Sequence, residues 1–282
     1  VSVLSQRIRA GQFVLAPGVH DALAAVLAAE VGFDVAYLTG FGTAASLGLP
    51  DVGLVTMSEM VENLRRITAA TDLAIIADAD TGYGNAINVG RTIKEYERAG
   101  ASGLHLEDQV FPKKCGFFEG KQVIPAQEHV QKIHAACDAR GDAEFVIIAR
   151  TDALAVAGWG DVEERVGLYR EAGADVVFVD GIRTEQDLLE YARRVVDRGL
   201  PALYNGVLRP APQIEQLGFR IQIIAGASLG AVVAGVWRAY EELYRHGAVP
   251  VEATSTFPRL LEVLGLPEIY AKEARYQVSG AP

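Results

Sequence analysis

Leu73-Ala74-Ile75-Ile76-Ala77-Asp78-Ala79-Asp80-Thr81-Gly82-Tyr83-Gly84 is the stretch that decides the fold. An apolar run leads straight into two aspartates and a glycine-rich turn. Side chains on a strand alternate between faces, so Asp78 and Asp80 point the same way. A second apolar run ends alike, in His105-Leu106-Glu107-Asp108-Gln109, and a third in Ile148-Ala149-Arg150-Thr151-Asp152. Working outward, short apolar runs near 13–17, 35–40, 73–80, 103–108, 145–151, 176–181, 202–206 and 220–226 alternate with helix-like stretches. They are rich in Val, Ile, Leu and Ala, as strands covered on both faces are. Eight βα units predict an α/β TIM (β/α)8 barrel, with an open doubly wound sheet as the alternative. The polar residues favour the barrel. Asp78 and Asp80, Glu107, Arg150 and Asp152, Asp180, and Asn205 all fall at the C-terminal ends of strands, where barrel enzymes place their chemistry.

The connections agree. Thr56 with Glu59 reads as a capping box, and Pro125 suits the start of the helix that carries Val130, Ile133 and Ala136. Glycines at 32, 100, 173 and 218 stand where a helix stops before the next strand. No linker breaks the chain, so 1–282 is expected to be a single domain. Its stretch 227–282 supplies extra C-terminal helices, with an apolar stripe of Phe257, Leu260, Leu261 and Leu264 that suits packing on a partner subunit.

The 282 residues are 50% hydrophobic, enough for a sizeable core, and carry 26 basic against 36 acidic side chains. A net charge of -10 argues against a nucleic-acid footprint, which needs a basic patch. No apolar run approaches the roughly 20 residues of a membrane span. With two cysteines, no disulfide framework and no signal-peptide core near the N-terminus, a cytoplasmic protein is expected.

Clustered buried carboxylates at strand ends imply a hard divalent cation held by few direct ligands and several waters. Pro112-Lys113-Lys114-Cys115-Gly116-Phe117-Phe118-Glu119-Gly120-Lys121 lies in a long connection, 109–124, and long βα loops often act as lids. Lysines around Cys115 would lower its thiol pKa and fit it for proton transfer. Cys137 sits on an apolar helix face and reads as core. Arg150, at the end of a buried strand, needs an anion, either Asp152 or a substrate carboxylate. Tyr37-Leu38-Thr39-Gly40-Phe41-Gly42 offers backbone N–H groups to a carboxylate. His105 reads as a packed, hydrogen-bonded residue, and no zinc spacing is present.

Together these motifs resemble the isocitrate lyase and phosphoenolpyruvate mutase superfamily. The match is close in Asp78-Ala-Asp-Thr-Gly-Tyr-Gly-Asn85, His105-Leu-Glu-Asp-Gln109, Lys113-Lys-Cys-Gly116, Ile148-Ala-Arg-Thr-Asp-Ala153, and Tyr37-Leu-Thr-Gly40 with Leu49-Pro-Asp51. The resemblance implies a Mg2+ site, with Mn2+ as the alternative. Asp78 would bind the metal directly, and Asp80 and Glu107, with Asp51, would hold its waters. Thr39, Gly40 and Phe41 would take the carboxylate of a 2-oxo acid unit, and Arg150 would steady the reacting oxygens. The Lys-Lys-Cys-Gly loop looks like that of the carbon–carbon lyases acting on methylisocitrate and dimethylmalate. There Cys115 would protonate the carbanion, with Lys113 beside it and Tyr37 a candidate base. Asp51, Gly116, Phe117, Asn205 and Arg209 complete the expected substrate contacts. The superfamily also implies a homotetramer, a dimer of helix-swapped dimers.

Departures from the pattern shape the expected substrate. Phe117 stands where the lyase loop has His, and Asp180 where Glu is usual. Asn205-Gly-Val-Leu-Arg209 and Ala225-Gly-Ala-Ser-Leu-Gly230 replace segments that contact the second product. The metal half of the site is expected intact and the leaving-group half remodelled, for something smaller or less anionic than a tricarboxylate. Arg209 would restore one carboxylate contact. The resulting expectation is a Mg2+-dependent lyase cleaving a 2-hydroxy or 2-oxo dicarboxylate. The alternatives are oxaloacetate decarboxylation or hydrolysis, and a phosphonopyruvate-type P–C bond enzyme.

Overall fold

The expected apolar runs all form strands: β1 (Val14–Val19), β2 (Val35–Leu38), β3 (Ala74–Asp78), β4 (Gly103–Glu107), β5 (Val146–Thr151), β6 (Val176–Val179), β7 (Ala202–Asn205) and β8 (Ile221–Ile224). Each pairs in parallel with the next, and Val14 of β1 lies opposite Ile221 of β8, which closes the barrel. The computed structural model describes residues 2–116 and 118–276.

Between the strands lie α1 (Val3–Arg9), α2 (Ala22–Val31), α3 (Gly40–Ser46), α4 (Met57–Ala70), α5 (Ala86–Arg98), α6 (Ala126–Ala139), α7 (Leu154–Ala157), α8 (Trp159–Glu171), α9 (Glu185–Arg194) and α10 (Ala211–Gln216). The capping box forms at α4: Glu59 N–H donates to Thr56 Oγ1, and Thr56 N–H donates back to Glu59 Oε2. Gly32 stops α2 at φ 106°, a left-handed conformation that a side chain would resist.

Strand parity sorts the core. Val14, Ala16, Val35, Ala74, Ile76, Ile148, Val176, Leu203, Ile221 and Ile223 fill the barrel interior. The intervening residues, such as Leu38, Ile75, Leu104 and Ile147, pack outward on Leu64, Ile67, Val89 and Ile93 of the helices. Each fully buried Val, Leu or Ile among them contributes about 1.5–3 kcal/mol. A one-residue slip of β3 would exchange the two sets and turn Asp78 into the outer layer, so the register is strongly fixed. The same parity carries Asp78, His105, Glu107 and Arg150 to the inner face at the strands' C-terminal ends, with Asp78 opposite His105 and Glu107 opposite Arg150.

The chain divides into two compact units, 1–228 and 229–282. The second takes most of α11 (Ala227–His246), with α12 (Glu252–Ser255), α13 (Phe257–Val263) and α14 (Leu266–Tyr276). It has an exposed apolar surface: Val232, Val233, Val236, Trp237, Tyr240 and Tyr244 recur at helical spacing on α11, and Phe257, Leu261 and Leu264 are exposed as well. Among the described residues no helix is long and apolar enough to cross a membrane.

Candidate active site

A cavity of about 380 Å3 opens at the C-terminal end of the barrel. Tyr37, Thr39, Phe41, Asp51, Asp78, Lys113, Cys115, Gly116, Arg150, Asp180 and Asn205 all line it. Sequence and structure therefore converge on one site, with five expected residues placed otherwise. Gly40, Asp80 and Glu107 sit just behind the wall. Arg209 does not line the cavity: its guanidinium pairs with Glu185. Phe117 lies outside the described residues.

The carboxylates form the floor. Asp78 ends β3, and its Oδ2 accepts from Gly40 N–H at 3.1 Å and from the Tyr37 hydroxyl at 3.3 Å. A Cβ on Gly40 would stand 2.5 Å from that same oxygen, so only glycine lets the start of α3 approach so closely. Burial opposes the charge on Asp78, but His105, Lys113, Arg150 and the Asp80 N–H overcome it and hold the carboxyl at about 2. Asp80 behaves in the opposite way. Burial raises it to about 6 against the pull of Lys113, with Asp78 and Asp51 adding repulsion. Glu107 is raised well above the carboxylate range by burial, despite Arg150 and Lys113.

The turn bearing Asp80 is strained and held from outside the barrel. Asp80 and Tyr83 have φ of 47° and 58°, where side chains are disfavoured. Three helix residues each donate to one of its carbonyls: Tyr96 to Asp78 O at 2.9 Å, Lys132 to Thr81 O at 3.0 Å and Thr92 to Gly82 O at 3.0 Å. The sequence gives no sign of this support, since a core Tyr and a core-facing Thr on a helix look like packing.

Tyr37 lies beside Asp78 and His105. Its hydroxyl lies 2.8 Å from His105 Nε2, and burial, with Asp78 nearby, raises its pKa well above 10. His105 is buried and pushed down to about 4, chiefly by desolvation, so it is neutral at pH 7 and acts as the packed, hydrogen-bonded residue expected.

Arg150 is fully engaged. Its Nε and Nη2 donate to Asp152 at 2.9 and 3.1 Å, Nη2 lies 3.3 Å from Asp180, Nη1 lies 3.2 Å from Glu107, and the guanidinium stacks over Phe178. Asp152, one of the two anions open to it by sequence, is thus a partner. Lys121 joins them, 2.7 Å from Asp152 and 3.3 Å from Asp180.

The loop 109–124 is docked over the cavity. Lys113 Nζ lies 2.5 Å from Asp51 Oδ1 and 2.8 Å from Asp80 Oδ1. Lys114 donates to the carbonyls of Glu119 and Gly120, and Lys121 donates to Gly116 O. Cys115 N–H donates to Asp51 O at 3.1 Å, leaving the cysteine 7% exposed in the cavity wall. Gly116 lies so close to Asp180 that a Cβ would fall 2.1 Å from its Oδ2. The lysines expected to tune the thiol thus hold the loop shut through carboxylates and carbonyls.

Thr39 Oγ1 accepts from Gly42 N–H and caps α3, so it serves the backbone before any ligand. The outer wall is formed by Asn205, Gly206, Val207, Ile224, Ala225, Gly226 and Ala227, none of them charged.

A model of the phosphoenolpyruvate phosphomutase family matches residues 4–244. The chain belongs to this family. It is 39% identical over 272 residues to 2,3-dimethylmalate lyase of Eubacterium barkeri, covering 94% of each chain. The solved structure of oxaloacetate acetylhydrolase with the inhibitor 3,3-difluorooxalacetate superposes at TM-score 0.90 and 34% identity, over 99% of this chain and 97% of that one. Phosphonopyruvate hydrolase, solved with oxalate and Mg2+, superposes at TM-score 0.87 and 31% identity, over 97% of each. The chain is thus an enzyme of a superfamily that contains carbon–carbon lyases.

The residues of this family member fit a divalent metal. Neither oxygen of Glu107, nor Asp80 Oδ1, has an aligned hydrogen-bond partner among the described residues, although Arg150 and Lys113 lie within ion-pair distance. A buried set of carboxylate oxygens lacking donors, with two of its acids pushed toward protonation, calls for a hard cation. Among the described residues no three His, Cys, Asp or Glu side chains form a group that could hold an ion by themselves.

Proposed function

We propose that this protein is a Mg2+-dependent carbon–carbon lyase that cleaves a 2-hydroxy or 2-oxo dicarboxylate to a 2-oxo acid and an enolate-derived carboxylic acid. The placement of Cys115 carries this reading: it faces the same cavity as Asp78, Arg150 and Asp180, on a loop tied down at both ends. Mg2+, held directly by Asp78 and through water by Asp80 and Glu107, would supply Lewis acidity to the oxygens of the 2-oxo acid unit.

For a 2-hydroxy diacid, the C2–C3 bond breaks and its electron pair goes to C3. The C2 hydroxyl loses its proton and becomes the carbonyl of the oxo acid. Cys115 delivers its Sγ proton to C3, and the proton released by the C2 hydroxyl returns through solvent to the Cys115 thiolate when the loop opens, so atoms and charge balance over one turnover without a co-reactant. Arg150, oriented by Asp152 and Phe178, places fixed positive charge beside the developing oxyanion. The docked loop keeps water from the carbanion. With Arg209 turned to Glu185 and the outer wall uncharged, nothing there answers a third carboxylate, which favours a substrate of the size of 2,3-dimethylmalate.

The same uncharged wall supports a second reading, hydrolysis or decarboxylation of oxaloacetate, in keeping with the structural likeness to oxaloacetate acetylhydrolase. Cys115→Ser separates the two. On the lyase reading it lowers kcat for diacid cleavage by about 10^2–10^4-fold, while calorimetry still finds Mg2+ and pyruvate bound. Turnover equal to the unsubstituted enzyme would remove Cys115 from the chemistry.

A further inference from the structure

A second cavity of about 420 Å3 lies behind the active-site loops and shares no lining residue with the first. Its walls are the backs of the three segments that carry the site: Gly53–Met57 after Asp51, Thr81–Asn85 after Asp80, and Gln109, Phe111 and Ile124 at the base of the docked loop. Most of the lining is apolar, including Leu54, Val55, Met57, Tyr83, Phe111 and Ile124.

One lining residue is out of keeping with that surface. Lys132 of α6 is 4% exposed, and its Nζ has a single bond, to Thr81 O. An ammonium has three donors. Among the described residues no carboxylate lies within ion-pair distance of it; Glu128, one turn earlier, lines the same cavity without closing on it. Buried lysines are rare without a partner. The cost is visible in its ionisation, which burial lowers and Glu128, Glu107 and Asp108 only partly restore. Three other polar side chains in the wall are already occupied. Gln109 binds both backbone groups of Lys114, Asn85 caps α5, and Thr56 is closed in its capping box.

We infer that this cavity is a binding site for a small monocarboxylic acid, its carboxylate on Lys132 and its apolar body against Val55, Met57 and Ile124. One unpaired cation beside a carboxylate matches a monoanion and disfavours phosphate. An occupant would rest on all three segments that bear Asp51, Asp80 and Lys113.

The chain has two methionines, and they make the test direct: Met57 lines the cavity, while Met60 is 1% exposed in the core. In full-length protein carrying 13C-methyl methionine, titration with hexanoate is expected to shift the Met57 methyl saturably and leave Met60 in place. Lys132→Gln is expected to weaken hexanoate by about tenfold or more, the loss of a charge-assisted hydrogen bond; Lys132→Arg should retain it. Leu54→Trp, made from the half-exposed rim, should block the response and serves if Lys132→Gln does not fold. Asp78→Asn, which damages the first cavity only, should leave the response intact. No saturable shift at Met57, an unchanged response in Lys132→Gln and in Leu54→Trp, or its loss in Asp78→Asn would each overturn the proposal.

Discussion

On the proposed reading Asp78 is the residue on which metal binding turns, and its environment says why. Of the three acids Asp78, Asp80 and Glu107 it alone is held below the usual carboxylate range, while burial raises Asp80 and Glu107. Removing its charge should leave the cluster unable to hold a cation tightly. Asp78→Asn is expected to weaken Mn2+ binding, followed by calorimetry, by at least about 100-fold and to abolish turnover, with the fold retained by circular dichroism. Unchanged Mn2+ affinity would remove Asp78 as the direct ligand. At this scale the sequence was informative wherever a strand set the direction of a side chain. Asp78, Glu107, Arg150 and Asp180 follow from parity alone. Arg209 did not, because it sits in a loop with no periodicity, and nothing in the sequence reveals that Glu185 lies beside it. Lys121 was visible only as a charge near Cys115; its place between Asp152 and Asp180 depends on how the loop folds back.

The elements around the site combine rigid strands with turns held from behind. The turn after β3 is anchored by α5 and α6 through Tyr96, Thr92 and Lys132. α6 also carries His129, fully buried and packed edge-on against Tyr169. Burial, with Lys132 and Arg165 nearby, holds its imidazole at about 3, against about 6.5 in an unfolded chain. The folded pKa is depressed, so the neutral form is the native one. Its contribution is complete above about pH 6.5 and is lost as pH falls toward about 3, at up to about 1.4 kcal/mol per pH unit. His129→Leu removes that titration. Urea unfolding at pH 7, 6, 5 and 4 is expected to show a shallower acid decline in the variant than in the parent, in which His105 still titrates. Parallel declines would mean that His129 does not couple folding to pH. Strand positions, the capping box of α4 and the glycine stop of α2 were all legible in local chemistry. The docking of loop 109–124 was not, because it depends on Asp80, Asp152 and Asp180, which follow β3, β5 and β6 and are distant from the loop in sequence.

At the scale of the molecule, the alternation of apolar runs and helical stretches was enough to specify a closed barrel, and the polar strand ends located its working face. The C-terminal helices were legible as a surplus but not in their use. Trp237, Tyr240 and Tyr244 are exposed on α11, an apolar surface of the kind that marks a contact site. We propose that a second copy covers it, as the expected tetramer of helix-swapped dimers requires. Light scattering is expected to report about four times the 30.2 kDa chain mass, and a monomer at micromolar concentration would remove the proposal.

The most direct test of the central claim is to incubate the purified protein with Mg2+ and, separately, 2,3-dimethylmalate, 2-methylisocitrate, isocitrate, oxaloacetate and phosphonopyruvate, following the products by NMR. A carbon–carbon lyase with an uncharged outer pocket is expected to release pyruvate and propionate from 2,3-dimethylmalate, faster than it cleaves either tricarboxylate and only with metal present. Phosphate from phosphonopyruvate with no cleavage of any hydroxy diacid would contradict it.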